Sequence, residues 1–151
     1  MSKHEDADLI LKLYDLRREP VMREARTWFF SFNPSSVQDF TDVLVGDKSC
    51  YYRMVVSYWD MAASLVNNGA IDDKMFNDAN GEHIFVFSRV QPFLEEIRST
   101  YDLPEYLKNL EELVMRQPNI EERLVTTRKR IKEMMALREA RAKAQAQAAT
   151  Q

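Results

Sequence analysis

Three polar residues of suitable type for chemistry share one stripe of a predicted helix over residues 48–68. The whole stripe is Arg53, Ser57, Asp60, Ser64 and Asn67, at steps of four, three, four and three, and the three candidates for chemistry are Arg53, Asp60 and Ser64. Polar side chains on a helix that is otherwise apolar can line a pocket between helices. More often they form a hydrogen-bonded seam or face solvent. Arg53 and Asp60 are two turns apart, about 10.5 Å along the axis, so they do not pair directly.

His83 is the other candidate for chemistry, because it begins a predicted helix directly after Asn80-Gly81. The positive end of a helix dipole disfavours the imidazolium, which leaves a neutral ring able to act as a base or ligand. We therefore place Arg53, Asp60, Ser64 and His83 in one candidate pocket. A structural or surface role for His83 is the competing interpretation.

Metal and cofactor chemistry find little support in the sequence. A single histidine without neighbouring Cys or His ligands is a poor metal site, and no Gly-rich phosphate loop or serine elbow is present. We predict no metal, no cofactor and no catalytic residue. The one cysteine, Cys50, cannot form an internal disulfide, and we interpret it as a small core residue.

The elements that position these residues are helical. The chain has 151 residues with only 3 Gly and 5 Pro, and 45% of its residues are hydrophobic. Leucine, valine and aromatic residues recur at helical spacing in every segment. We predict an all-α single bundle of about six to eight helices over residues 1–118. The helix over 48–68 is apolar on most of its circumference, so it should be the hub of the core. Pro92 should kink or divide a helix over residues 82–100.

A long C-terminal helix should project from this bundle over residues 119–151. Its apolar seam is Ile120, Leu124, Ile131 and Met134, with heptad-like spacing over only about two heptads. After Leu137 the Ala/Gln-rich end has nothing to bury, and we expect it to fray or be disordered. An apolar seam that needs covering is the basis for predicting a homodimer.

Charge is unevenly distributed. The net charge is −3, but residues 119–151 carry eight basic and four acidic side chains, which leaves 13 basic and 20 acidic on the rest. Such a basic segment can contact nucleic acid or an acidic protein surface. Nucleic-acid binding is the weaker hypothesis, because acidic residues are interleaved and residues 119–151 contain no aromatic.

The expected location is the cytoplasm. The first twenty residues carry Glu5, Asp6, Asp8 and Asp15, which a secretory leader does not tolerate. No run of about 18 apolar residues exists, so we predict no membrane span.

Several segments resemble a known family. They are residues 13–19 (LYDLRRE), 58–72 (YWDMAASLVNNGAID), 80–83 (NGEH) and 92–93 (PF). Together they are similar to a family of uncharacterised bacterial helical proteins that carries only a domain-of-unknown-function label. The resemblance covers about residues 9–114. It implies a helical fold and a bacterial cytosolic or membrane-peripheral setting, and some relatives carry an N-terminal membrane span. It implies no activity and no catalytic residue.

These patterns rank three functions. The first is a non-enzymatic protein-interaction or oligomerisation module that binds itself or another protein. The alternative is a small-molecule or enzymatic pocket around Arg53, Asp60 and His83. The third is weak nucleic-acid binding through the basic C-terminal helix.

Overall fold

The fold is all-α, as the sequence predicts. A computed structural model describes residues 2–150, and within them it contains helices and no β-strand. The elements are α1 (Lys3–Arg17), α2 (Pro20–Ser31), α3 (Val37–Val45), α4 (Ser49–Asn67), α5 (Asp73–Ala79), α6 (Glu82–Val90), a 3-10 turn (Gln91–Phe93), α7 (Leu94–Thr100), α8 (Lys108–Met115) and α9 (Ile120–Ala149).

Helix α4 lies at the centre of the bundle. Its buried side chains are Tyr52, Val55, Val56, Trp59, Ala62, Ala63 and Val66. It packs most extensively on α2 and α8, and it also contacts α3, α5 and α6. A helix that is apolar on most sides packs where other helices cover it on most sides, since each apolar side chain left exposed forgoes roughly 1.5–3 kcal/mol of burial free energy. The sequence prediction of a central hub therefore agrees with the structure.

Proline and capping residues set several helix boundaries. Pro20 occupies the first turn of α2, where its missing N–H is not needed. The Asp72 carboxylate accepts a hydrogen bond from the backbone N–H of Met75 at 2.8 Å and caps α5. Pro92 divides the predicted helix over residues 82–100, because a 3-10 turn separates α6 from α7.

Helix α8 begins later than the sequence pattern indicates. A proline such as Pro104 commonly opens a helix, but α8 starts at Lys108. The segment between α7 and α8 contains two non-glycine residues with positive φ, Asp102 at 53° and Leu107 at 55°. The Arg98 guanidinium holds this segment by donating two hydrogen bonds to the Tyr106 carbonyl, at 3.0 and 2.8 Å. A tertiary contact thus overrides the local proline signal.

Helix α9 consists of a packed half and a free half. Ile120, Leu124 and Ile131 are buried against the body of the same chain, mainly against α6 and also α8. The Arg128 Nε donates to the Ser88 carbonyl at 2.9 Å. From residue 136 to residue 150 every side chain is exposed. The sequence predicts fraying after Leu137, whereas the structure continues the helix to Ala149, in keeping with the high helix propensity of Ala, Arg, Lys and Gln.

Cys50 lies on the surface rather than in the core. The interpretation of this residue as a core side chain is wrong, because the first turn of α4 turns it away from the packed face that Tyr52 and Val55 occupy. None of the helices in the described part of the chain is both long enough and apolar enough to cross a membrane.

Candidate functional site

Asp60 binds the first turn of α8 through its carboxylate. Its carboxylate accepts hydrogen bonds from the backbone N–H of Leu110 at 2.9 Å and from the Asn109 Nδ2 at 3.2 Å. Leu110 lies in the first turn of α8, whose N–H groups have no partner within the helix. Asp60 therefore caps α8 from the neighbouring helix, and its negative charge also suits the positive end of the α8 dipole.

Arg53 and Ser64 lie on the same stripe as Asp60, but neither of them contacts α8 through a hydrogen bond. The Ser64 hydroxyl donates to the Met61 carbonyl of its own helix at 2.6 Å. Arg53 is exposed, and across residues 2–150 its guanidinium forms no hydrogen bond and no ion pair. These three residues of the stripe thus play different parts: Asp60 caps α8, Ser64 bonds within α4, and Arg53 has no partner among residues 2–150.

His83 is fully buried, away from that stripe. Its ring packs against Trp59 and Phe76, with ring centroids 5.6 and 5.1 Å apart. The Nε2 atom lies 3.0 Å from the Asn77 Oδ1, whereas the Nδ1 atom has no partner among the described residues. Burial, together with the positive charge of Arg123, lowers the pKa of His83 to about 4. The ring is therefore neutral at physiological pH.

A cleft lined by tyrosines has Arg53 in its wall. It has a volume of about 830 Å³ and lies between α3, α4 and the segment before α8. Arg53 and Asp60 line it, but Ser64 and His83 do not. The structure therefore separates the four residues that the sequence groups into one pocket.

The phenols in this cleft are paired with other hydroxyls. The Tyr52 and Tyr106 hydroxyls lie 2.7 Å apart, and the Tyr101 hydroxyl contacts the Thr41 hydroxyl. Burial raises the pKa of Tyr106 to about 12 and raises the pKa of Tyr52 well above its usual value. Both phenols stay protonated at neutral pH, so neither is a ready base or nucleophile. The arrangement suits binding better than proton transfer.

Two arginines share one carboxylate beside His83, which sequence reasoning missed. The Glu82 carboxylate accepts from Arg17 at 3.2 Å and from Arg26 at 3.0 Å. The Arg17 guanidinium also lies 5.2 Å from the centre of the Trp59 ring. These partners are 56 to 65 positions apart in sequence, and no local pattern indicates such a pairing.

A second groove runs along the packed half of α9. Three adjoining cavities of about 430–440 Å³ form it, and neighbouring cavities share Phe30, Phe85 and Arg130 in their walls. Helix α2 forms one side, α9 the other, and the start of α6 the floor. The arginines that line it are Arg23, Arg26, Arg123, Arg130 and Arg138. The carboxylates that line it are Glu82 and Glu122, so the groove is basic on a chain of net charge −3.

No cluster of three or more His, Cys, Asp or Glu side chains suited to a metal ion occurs in the described part of the chain. Residues 3–117 match the family described as Domain of unknown function (DUF4760), which is most of the chain. The protein therefore belongs to this family. The match ends before α9 begins at Ile120. No curated protein and no solved structure matches the chain.

A structural role for Asp60 predicts a large difference between two substitutions on the same stripe. We expect Asp60→Ala to lower the free energy of unfolding by about 1–2 kcal/mol, because the Leu110 N–H then lacks its cap. Ser64→Ala removes only a bond within α4 and should change it by less than about 0.5 kcal/mol. Urea unfolding monitored by circular dichroism measures both. Equal effects of the two substitutions would contradict the capping role.

His83 predicts a loss of stability in mild acid. Its pKa is about 4 in the folded chain and 6.5 in the unfolded chain, so the unfolded chain takes up the proton first as pH falls. The stabilisation is complete above about pH 7 and is lost as the pH falls toward 4, amounting to roughly 3 kcal/mol. The free energy of unfolding of the native chain should therefore fall more steeply between pH 7 and 5 than that of His83→Gln. His4→Gln, which changes an exposed histidine, serves as the control and should keep the native slope. Parallel curves for the native chain and His83→Gln would refute this assignment.

Proposed function

We propose that the protein is a non-enzymatic protein-interaction module that forms a homodimer through the free half of α9. The observation that carries the proposal is the run of exposed side chains from residue 136 to residue 150 on a helix that continues to Ala149. Isolated helices of about 12–15 residues are marginal in water even when they are rich in alanine. Covering this segment on a second chain stabilises it.

The part of α9 that is exposed to a partner differs from the apolar seam that the sequence predicts. Ile120, Leu124 and Ile131 pack on their own chain and are not available to a partner in this arrangement, while Met134 is 47% exposed. Leu137 is 71% exposed on the free half. The proposed contact therefore moves along α9 to Met134, Leu137 and the alanine-rich end.

Charge complementarity supports a second copy as the partner. The free half carries Arg138, Arg141 and Lys143 against a single acid, Glu139. Exposed carboxylates also occur on α3, on α7 and near them in the chain: Asp42, Asp47, Glu96 and Asp102. None of these four forms an ion pair within residues 2–150. A basic helix from one copy can thus contact these carboxylates of another.

The cytoplasm of a bacterial cell is the location that we propose for this module. The exposed, unpaired thiol of Cys50 supports a reducing compartment, since free surface thiols are oxidised or bridged outside the cell. The bacterial origin rests on the resemblance of the motif segments alone.

Binding of a small apolar ligand in the tyrosine-lined cleft is a second candidate function. Its support is the volume of about 830 Å³, which is within the usual range for ligand sites, and the aromatic and aliphatic lining. His83 takes no part in it. A small molecule retained by the purified chain, seen by mass spectrometry after unfolding, would support this function, and its absence would count against it.

Removing residues 139–151, which include most of the free half of α9, tests the homodimer. We expect light scattering at micromolar concentration to give twice the mass of one chain for the full protein. A protein that ends at Arg138 should give the mass of a single chain, with its melting temperature measured at high dilution unchanged, because the removed residues bury nothing in their own chain.

A pair of charge reversals sharpens this test. Arg141→Glu with Lys143→Glu should shift the full protein toward the monomer, and high salt should do the same. Lys3→Glu with Lys12→Glu makes the same change in net charge on α1 and should leave the mass unaltered. A monomeric full-length protein, or a dimer that survives the truncation, would overturn the proposal.

A further inference from the structure

Three of the five arginines that line the groove along the packed half of α9 are not neutralised by the described part of the chain. Among the described residues, Arg23, Arg123 and Arg130 form no side-chain hydrogen bond and no ion pair, and all three are exposed. Arg26 is partly satisfied by Glu82. Guanidinium groups that converge on one groove without partners in the chain favour a ligand that bears carboxylates or phosphates.

The floor of the same groove is apolar apart from Glu82, whose carboxylate is paired with Arg17 and Arg26. Phe30 and Phe85 lie side by side, with ring centroids 5.5 Å apart, and Ile131 is buried next to them. An apolar floor with arginines on both sides matches an amphipathic helix whose apolar face points down and whose flanks are acidic. The groove also has the right setting for this mode, since two helices form its sides.

Nucleic acid fits the groove less well. Single strands gain much of their affinity from stacking bases on open aromatic faces. Among the described residues, the cavities that form this groove are lined by two aromatic rings, Phe30 and Phe85, which is few for a surface that stacks successive bases. Glu122 also lines the groove and interrupts the row of arginines that a continuous phosphate backbone would follow.

We propose that this groove binds an amphipathic helix of a partner protein, with acidic residues flanking its apolar face. The inference rests on the proposed function as an interaction module, but it does not require the homodimer, since the groove lies along the packed half of α9 and takes only Arg138 from the free half.

The test uses the full chain and a defined probe. The probe is a fluorescein-labelled 18-residue peptide of leucine and glutamate, with leucines at helical i, i+3, i+4 and i+7 positions. A scrambled peptide of the same composition keeps the charge but loses the apolar face. Fluorescence anisotropy should show that the chain binds the helical peptide roughly tenfold or more tightly than the scrambled one.

Charge reversal locates the binding site. Arg123→Glu with Arg130→Glu should weaken binding of the helical peptide roughly tenfold or more. The folding of this variant should be unaffected, because both side chains are exposed and unpaired, and circular dichroism checks it. The matched control, Lys3→Glu with Lys12→Glu, makes the same change in net charge on α1 and should alter the affinity by less than about twofold.

Four results overturn the inference. They are the absence of binding at low salt, equal affinity for the scrambled peptide, equal weakening by both pairs of reversals, and tighter binding of single-stranded DNA than of the peptide through Arg123 and Arg130. Light scattering on the same samples keeps the two proposals apart. A monomer that binds the peptide refutes only the homodimer, and a dimer that does not bind it refutes only the groove.

Discussion

The burial of α4 is the constraint on which the rest of this structure depends. Trp59, Val55 and Ala62 on that helix are at most 1% exposed, and α2, α3, α5, α6 and α8 are arranged around it. Because burial of apolar surface contributes roughly 25 cal/mol per Å², the helix with the largest apolar circumference sets where the others pack. Polar side chains on α4 are consequently few, and the helices packed around each one determine which hydrogen bonds it forms.

Polar groups near the core join neighbouring elements of the fold. Asp60 caps α8, and Glu82 joins α1 and α2 to the start of α6 through Arg17 and Arg26. His83 stays neutral between two aromatic rings. A buried polar group costs free energy unless it is hydrogen-bonded, so each of these partnerships offsets a penalty that the fold creates. Several arginines that form no ion pair within residues 2–150, among them Arg123 and Arg130 on α9 and Arg53 on α4, lie at the surface, and there binding is possible.

The helices were predictable from sequence because their apolar spacing and their proline and capping residues are local signals. The hub was predictable for the same reason, since its single polar stripe is visible along the chain. The candidate pocket was not, because whether Asp60 reaches α8 and whether His83 reaches Arg53 depends on how distant segments pack. The later start of α8 and the arginine groove also arise from tertiary contacts, between Arg98 and Tyr106 and between α2 and α9.

Native-state hydrogen exchange of the α4 backbone tests the central claim most directly. If this helix is the hub, the amides of Val55, Trp59 and Ala63 exchange only when the whole chain unfolds, so their exchange free energies equal the global free energy of unfolding measured with denaturant. Exchange of these amides through a local opening, at free energies several kcal/mol below those of amides in α2 and α8, would contradict the account.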